Sequence, residues 1–80
     1  MRLDKYLKIS RIIKRRTVAN DACDAGHVSV NGKVARASCD VCVGDVIEVA
    51  FGERRLKVKV LEVKETVGKN DAASLYEVIS

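Results

Sequence analysis

The sequence has no proline, no tryptophan and only three aromatic residues, two Tyr and one Phe. Its hydrophobic core must therefore come from Val, Leu, Ile and Ala. With 80 residues the chain forms one domain at most, and a domain of this size buries only about 60% of its unfolded surface. A hydrophobic content of 48% still favours a globular fold over a disordered one. Such a thin core leaves no room for a cleft between lobes, which argues against an enzyme.

Long apolar runs are also missing. The N-terminal residues contain no stretch that could form a signal peptide or a membrane span. The three cysteines are an odd number, which disfavours the disulfide framework of a small secreted domain. We therefore expect a protein of the reducing cytoplasm.

The positive charge is concentrated in one part of the chain. Residues 1–16 carry seven basic side chains and one acid, a net charge of +6, whereas the remaining residues carry −2. The whole chain has a net charge of +4. Because compensating acids are nearly absent from the basic segment, we interpret it as a surface for a polyanion rather than a solvated helix face.

The first third of the sequence has a helical pattern. Residues 3–9 read as a short helix, with Leu3 and Leu7 one turn apart and facing inward. A second helix is predicted between Thr17, as its N-cap, and Gly26, in the left-handed position after its end. Its packed face would contain the pairs Val18/Ala22 and Ala19/Cys23. The exposed N–H groups at a helix start suit phosphate binding.

From residue 28 the pattern alternates with the period of a strand. Asn31-Gly32 predicts a tight hairpin, and further strands are expected at residues 46–51, 56–63 and 75–79. The alternation breaks at Val60-Leu61, which indicates a bulge or burial of the second face there, and residues 66–74 read as a loop. Helices followed by a small, mostly antiparallel, twisted sheet define an α+β fold.

Four segments resemble the S4 RNA-binding domain: RLDKYL (residues 2–7), KRRTVA (14–19), GHVSVNG (26–32) and VGDVI (43–47). They occur in order over residues 1–47, which makes the combination specific. The resemblance implies a helix pair that carries the RNA-binding face and packs on a small sheet, the alpha-L motif. We expect a single S4-like domain over residues 1–80, with the core motif in 1–47 and a strand hairpin and closing strand in 48–80.

The start MRLDK, the basic segment IKRR (13–16) and a hairpin containing Phe51-Gly52 further resemble the RqcP family of small ribosome quality control factors. The related ribosome-associated heat-shock protein has a longer basic tail. The resemblance implies a non-catalytic factor, monomeric off the ribosome, that binds large-subunit rRNA and stalled peptidyl-tRNA. It also implies support for alanine tailing by a partner of the RqcH type. Arg2 and Arg16 match the family residues that contact rRNA and tRNA.

The candidate RNA-binding residues are the seven basic side chains of the N-terminal segment. Arginine presents a planar fork of donors that fits two phosphate oxygens, whereas lysine supplies a less directional charge. Recognition of RNA helices should depend on shape and backbone. The alternative for Arg2 and Arg16 is a salt bridge to Asp4 or Asp21. The candidates are Arg2, Lys5, Lys8, Arg11, Lys14, Arg15 and Arg16.

Other residues suggest chemistry that we consider secondary. Cys39 and Cys42 have C-x-x-C spacing, and with Cys23 and His27 they offer a conceivable zinc ligand set. The two pairs lie on different predicted elements, so we predict no metal, no cofactor and no catalytic residue. Cys23 is expected to be a buried packing residue and His27 a turn residue. Tyr6 either stacks on a base or covers the core.

Three other functions compete with this interpretation. The chain could be a ribosome-assembly factor or a general structured-RNA-binding protein with an S4 domain. An accessory fragment of a pseudouridine synthase would lack that family's catalytic domain. A protein-interaction module that used the strands at residues 46–63 would keep its binding after reversal of the N-terminal charge, whereas RNA binding would weaken steeply with salt.

Overall fold

The computed structural model describes residues 1–64 and 71–79 and has two helices followed by an antiparallel sheet. Sheet order is β2-β1-β3-β4-β5, and each neighbouring pair is antiparallel. This confirms the predicted α+β class. The elements are α1 (Leu3–Ile9), α2 (Arg16–Asp24), β1 (Val28–Val30), β2 (Lys33–Val34), β3 (Val46–Phe51), β4 (Arg54–Val60), a 3₁₀ turn (Ala72–Leu75) and β5 (Tyr76–Val78).

Both helices share one core with the inner face of the sheet. Aliphatic and small side chains fill it, as expected for a sequence so poor in aromatics. The one fully buried aromatic ring is Tyr6, whose hydroxyl donates a hydrogen bond of 2.7 Å to the carbonyl oxygen of Leu75. The buried cluster contains Leu3, Tyr6, Leu7, Ile13, Ala19, Cys23, Val28, Ala35, Ala37, Val41, Ile47, Val49, Val58, Val60 and Leu75.

The first residues of the chain are fixed by the segment that precedes β3. The N–H of Leu3 donates to the carbonyl of Cys39 at 2.8 Å, and the N–H of Val41 donates to the carbonyl of Met1 at 2.8 Å. These two bonds flank Arg2, which pairs as an isolated antiparallel bridge. The backbone of Arg2 is thus held on both sides before α1 begins.

The predicted end of α2 is confirmed. Gly26 adopts φ = +86°, the N–H of Gly26 donates to Cys23, and the N–H of His27 donates to Ala22. This is the Schellman pattern, in which a left-handed residue after the helix satisfies its last carbonyls. His27 is an exposed turn residue, as expected.

The predicted start of α2 is wrong. The helix begins at Arg16, and Arg15, in an extended conformation, occupies the N-cap position in place of Thr17. Thr17 is an exposed residue of the first turn, and no side chain caps this end. The Nε of Arg16 lies 3.4 Å from Oδ2 of Asp4 on α1, a contact between helices that local cap preferences do not contain.

The strands confirm the predicted hairpins and correct their lengths. Asn31 and Gly32 have φ values of +53° and +84° and join β1 to β2 in a two-residue turn. Strand β4 begins at Arg54, two residues before the predicted start, because Gly52-Glu53 alone makes the turn from β3.

The predicted irregularity after Val60 is confirmed as a bulge. The N–H groups of Leu61 and Glu62 both donate to the carbonyl of Leu75, at 2.8 and 3.2 Å, so two residues oppose one. The loop predicted at residues 66–74 falls in part on residues 66–70, which lie outside the described residues.

Candidate nucleic-acid interface

The seven predicted basic residues lie on α1, on the start of α2 and on the connection between them. Arg2 occupies the N-cap position of α1, Lys5 and Lys8 lie on α1, and Arg16 is the first residue of α2. Arg11, Lys14 and Arg15 belong to the connection. All except Lys5, which is partly buried, are exposed residues. The fold thus presents the charge of the N-terminal segment on the surface of one helix pair.

The centre of this surface is the buried carboxylate of Asp4, whose side chain is 3% exposed. Arg2 approaches one oxygen through Nε at 3.2 Å and the other through Nη2 at 3.4 Å. The Nε of Arg16, on α2, lies 3.4 Å from Oδ2. The backbone N–H of Lys5 donates at 2.8 Å and the amide of Asn20 at 3.2 Å. With these contacts the roughly four acceptor positions of a carboxylate are saturated.

The environment of Asp4 lowers the pKa of its carboxyl group. Burial by itself raises this pKa, but the hydrogen bonds from Asn20, Arg2, the Lys5 backbone and Arg16 favour the ionised form and together outweigh burial. Asp4 is therefore negatively charged at neutral pH. Its charge is fixed between two guanidinium groups that come from different helices.

Arg2 and Arg16, which we call the arginine pair, keep about half of their side-chain surface exposed, 50% and 48%. Both arginines thus form the ion pair with Asp4 that the sequence offered as the alternative. This ion pair still leaves part of each guanidinium group accessible to other partners. Each arginine has five N–H donors, and only one or two of them face Asp4. The contact with Asp4 therefore leaves at least three N–H donors of each arginine for other partners.

Two clefts adjoin the arginine pair. The first cleft, of about 390 Å³, includes Arg2 in its lining, and the second, of about 290 Å³, includes Arg16. Asn20 borders both clefts and also donates to Asp4. The lining of the first cleft has two arginines and one acid, whereas that of the second has one arginine and two acids, so of the two only the first has a charge that favours a phosphate. Sequence reasoning did not identify Asn20, because only the packing of α2 on α1 gives it this position.

Four of the seven predicted cations carry no ion pair within residues 1–64 and 71–79: Lys8, Arg11, Lys14 and Arg15. Arg11 follows α1 in a left-handed conformation with φ = +63°, a region that side chains other than Gly and Asn rarely adopt. The chain thus keeps a charged side chain at a position where glycine would be less strained.

The start of α2 adds backbone donors to this surface. Its N-cap makes no side-chain hydrogen bond and its first turn contains no acid. By contrast, the first N–H groups of α1 are used: that of Leu3 by Cys39, that of Asp4 by Ala37 and that of Lys5 by the Asp4 side chain. The positive end of α2 therefore faces outward among arginines.

A further arginine that the sequence interpretation missed lies at the first cleft. Arg36 lines this cleft together with Arg2. It is separated from the N-terminal segment by α2, β1 and β2, so a count of local charge does not find it. In the sequence, the signal for an exposed Arg36 on an anchored segment was its position between two small residues, Ala35 and Ala37. Both of these residues are buried in the structure.

The structure also decides between the alternatives for the remaining candidates. Tyr6 is fully buried and is a core residue, so the base-stacking alternative is wrong. Cys23 is 1% exposed, which confirms its packing role, and burial raises the pKa of its thiol to about 11, with nearby acids adding to the shift. The candidate zinc ligands Cys23, His27, Cys39 and Cys42 are not part of any cluster of three or more metal-binding side chains in the described part of the chain.

No helix in the described residues is long and apolar enough to cross a membrane.

The fold and this surface define a class of protein, a small α+β domain with a preorganised cationic face on two helices. The family model described as "S4 domain" matches residues 1–47, more than half of the chain. Two curated proteins named "RQC P-site tRNA stabilizing factor" are similar over nearly the full length. The one from Streptococcus pneumoniae is 58% identical over 100% of this chain and 91% of its own length. The one from Bacillus subtilis is 49% identical over 99% of this chain and 92% of its own length.

The solved trimeric structure of Vibrio cholerae Heat Shock Protein 15 has the same fold, with a TM-score of 0.91 and 28% identity. The match covers 100% of this chain and 82% of that chain. The chain belongs to the S4 domain family and, within it, to the family whose curated members are called RQC P-site tRNA stabilizing factors. Both predicted resemblances are thereby confirmed. So is the prediction that the chain is not an enzyme, because this is a family of binding factors.

Proposed function

We propose that this chain is a non-catalytic RNA-binding factor of ribosome quality control. It binds the large ribosomal subunit that still carries a stalled peptidyl-tRNA and supports alanine tailing of the nascent chain by a partner of the RqcH type. The names of its relatives, which refer to stabilisation of a P-site tRNA, support the pathway. We further propose a cytoplasmic protein that is monomeric off the ribosome.

The observation that carries the proposal is the arginine pair held by Asp4. A protein that binds RNA through charge alone needs no internal acid among its cations. Here a buried carboxylate orients Arg2 and Arg16 while half of each side chain stays exposed. Fixing two long side chains in advance removes part of the entropy cost of binding. Such an arrangement suits a ligand of defined shape, as folded RNA is.

The other basic residues are proposed to act in a less directional way. Lys8, Arg11, Lys14 and Arg15 lie around the arginine pair and have no acidic partner in the described residues. They, together with Lys5, supply attraction to the phosphate backbone, which is sequence-independent and sensitive to salt. All seven residues would then act as one RNA-binding face.

We propose that residues 1–80 act as one unit rather than as a core motif with a separate tail. Residues beyond the family match contribute to the same core: Val58, Val60 and Leu75 are fully buried within it. The hydrogen bond from Tyr6 to Leu75 links α1 directly to the last strand region.

Fractionation of ribosomal particles from the native organism tests the proposal. Tagged wild-type protein should be enriched on large subunits that carry peptidyl-tRNA, and Arg2→Ala or Arg16→Ala should abolish this enrichment. Arg54→Ala is the matched control, because Arg54 is an exposed arginine at the β3–β4 turn, away from the helix pair. It should co-sediment as the wild type does.

Three results would contradict the proposal. Binding to immature subunits without tRNA would indicate an assembly factor, and absence from all ribosomal particles would indicate a structured-RNA-binding protein with another target. Equal loss of binding in Arg54→Ala would show that total charge, rather than the arginine pair, determines the association.

A further inference from the structure

The first cleft contains two arginines from distant parts of the sequence. Arg2 precedes α1, and Arg36 lies in the segment between β2 and β3. Ala35 and Ala37 are 8% and 2% exposed, so the backbone on both sides of Arg36 is anchored in the core while its own side chain is exposed.

The segment that carries Arg36 is fixed to both helices. The N–H of Ala37 donates to Oδ1 of Asp24 on α2 at 3.2 Å, and the carbonyl of Ala37 accepts from the N–H of Asp4 on α1 at 3.2 Å. The position of Arg36 relative to Arg2 is therefore set by backbone contacts, not by a mobile loop.

The charges at this cleft favour an anion. In the part of the chain that the structure describes, the guanidinium of Arg36 has no ion-pair partner. Arg2 turns Nε and Nη2 towards Asp4 and keeps its Nη1 donors for other contacts. The cleft contains one acid, Asp24, whose Oδ1 is engaged by the Ala37 N–H, so two arginines and one aspartate leave a net positive charge.

We propose that the first cleft is a phosphate seat for RNA, in which Arg2 and Arg36 bind the same backbone phosphate from opposite sides. This inference rests on the proposed function and extends it beyond the N-terminal segment. Two guanidinium forks on one phosphate are a common solution in proteins that recognise this group. The volume of about 390 Å³ is in the range of sites that accommodate small ligand groups.

The first experiment compares the affinity of wild type, Arg36→Gln and Arg54→Gln for purified large ribosomal subunits that carry peptidyl-tRNA, by co-sedimentation at several salt concentrations. Arg36→Gln should bind about tenfold more weakly, as expected for a lost charge-assisted contact. The slope of log K against log salt should decrease by about one. Arg54→Gln carries the same change of charge on the β3–β4 hairpin and should stay within about twofold of wild type. Circular dichroism should show that all variants are folded, since both arginines are exposed.

A second experiment asks whether the two arginines share a phosphate. If they do, the double variant Arg2→Gln/Arg36→Gln should lose less affinity than the two single losses combined, because either single change already disrupts the shared contact. Additive losses, or an Arg36→Gln variant that behaves like Arg54→Gln, would overturn the phosphate seat while leaving the proposed function intact. A wild-type protein that does not bind these subunits would overturn both.

Discussion

Replacement of Asp4 by Asn tests how far the arginine pair depends on one buried charge. Asparagine keeps the size and one oxygen, which can still accept from the Lys5 N–H at the place of Oδ1. Its NH₂ group then replaces Oδ2 and faces donors from Arg2, Asn20 and Arg16. At all three contacts a hydrogen-bond donor of the new side chain would then face another donor.

The expected loss of stability follows from these contacts. The hydrogen bond from Asn20 contributes about 1 kcal/mol. Each ion pair contributes only about 0.5 kcal/mol, because Arg2 and Arg16 are half exposed and water screens them. We therefore expect Asp4→Asn to lower the free energy of unfolding by about 2 kcal/mol, which shifts Tm by roughly 8–16 °C in a domain of this size. Asp21→Asn, the same change at an exposed position of α2, should stay within about 0.5 kcal/mol of wild type.

The difference in unfolding free energy between wild type and Asp4→Asn should depend on pH, because it arises from the ionised carboxylate of Asp4. The pKa of Asp4 is lowered in the folded state, so its contribution to stability is complete above the unfolded value of about 4 and is lost as pH falls through the folded value. Urea unfolding followed by circular dichroism should show a constant gap between wild type and Asp4→Asn above about pH 5, and a narrowing gap below pH 4. An unchanged gap down to pH 2, or equal stability at pH 7, would refute the proposed role of the carboxylate.

The RNA affinity of Asp4→Asn distinguishes the effect of net charge from the effect of the orientation of Arg2 and Arg16. Asp4→Asn raises the net charge by one, so attraction alone predicts tighter binding to large subunits. Loss of the fixed orientation of Arg2 and Arg16 predicts weaker binding, by about tenfold if each side chain must be ordered at a cost of roughly 0.5–1.5 kcal/mol. The measurement is made well below the Tm of the variant. Tighter binding would show that the arginine pair is not preorganised by Asp4.

Other changes probe single features of the fold. Arg11→Gly should stabilise the protein by about 0.5 kcal/mol in urea unfolding, because glycine relieves the strain at φ = +63°; a destabilised variant would show that Arg11 makes compensating contacts. Tyr6→Phe should cost about 1 kcal/mol in thermal unfolding, since it removes the 2.7 Å hydrogen bond to Leu75; no change would mean that the bond is not formed in solution. Iodoacetamide at pH 8 should modify exposed Cys42 and spare Cys23, whose pKa is raised to about 11 by burial; equal labelling of both by mass spectrometry would contradict the buried position.

Local chemistry made most of the fold predictable. The Asn31-Gly32 turn, the left-handed Gly26 and strand β3 follow from residue preferences within a few positions, and the structure has them as expected. The start of β4 was missed because Arg54 and Arg55 are charged and read as a loop. They pair with Phe51 and Ala50 at the exposed end of the hairpin, where a strand tolerates charge.

The candidate site was harder to predict because its geometry depends on contacts between elements. The helical period of α2 placed Ala19 and Cys23 in the core correctly, but it also placed Val18 there, which is 50% exposed. Helix α2 has nine residues and packs through one narrow face, so it buries only part of the apolar stripe that the helical period predicts. In the same way, the position of Asn20 beside Asp4 follows from how α2 lies against α1.

The arrangement of charge assigns long-range attraction and oriented contact to different side chains, although both belong to one basic segment. A cluster of seven cations on a domain with so small a core repels itself and destabilises the fold. Asp4 offsets part of this repulsion from within, and it does so at the two arginines that it also orients. Lys8, Arg11, Lys14 and Arg15 keep their charge unpaired in the described residues and remain available for long-range attraction. On the proposed function, the unpaired cations bring RNA to the surface at low specificity, while the fixed pair distinguishes a phosphate arrangement that fits two separated guanidinium groups from one that does not.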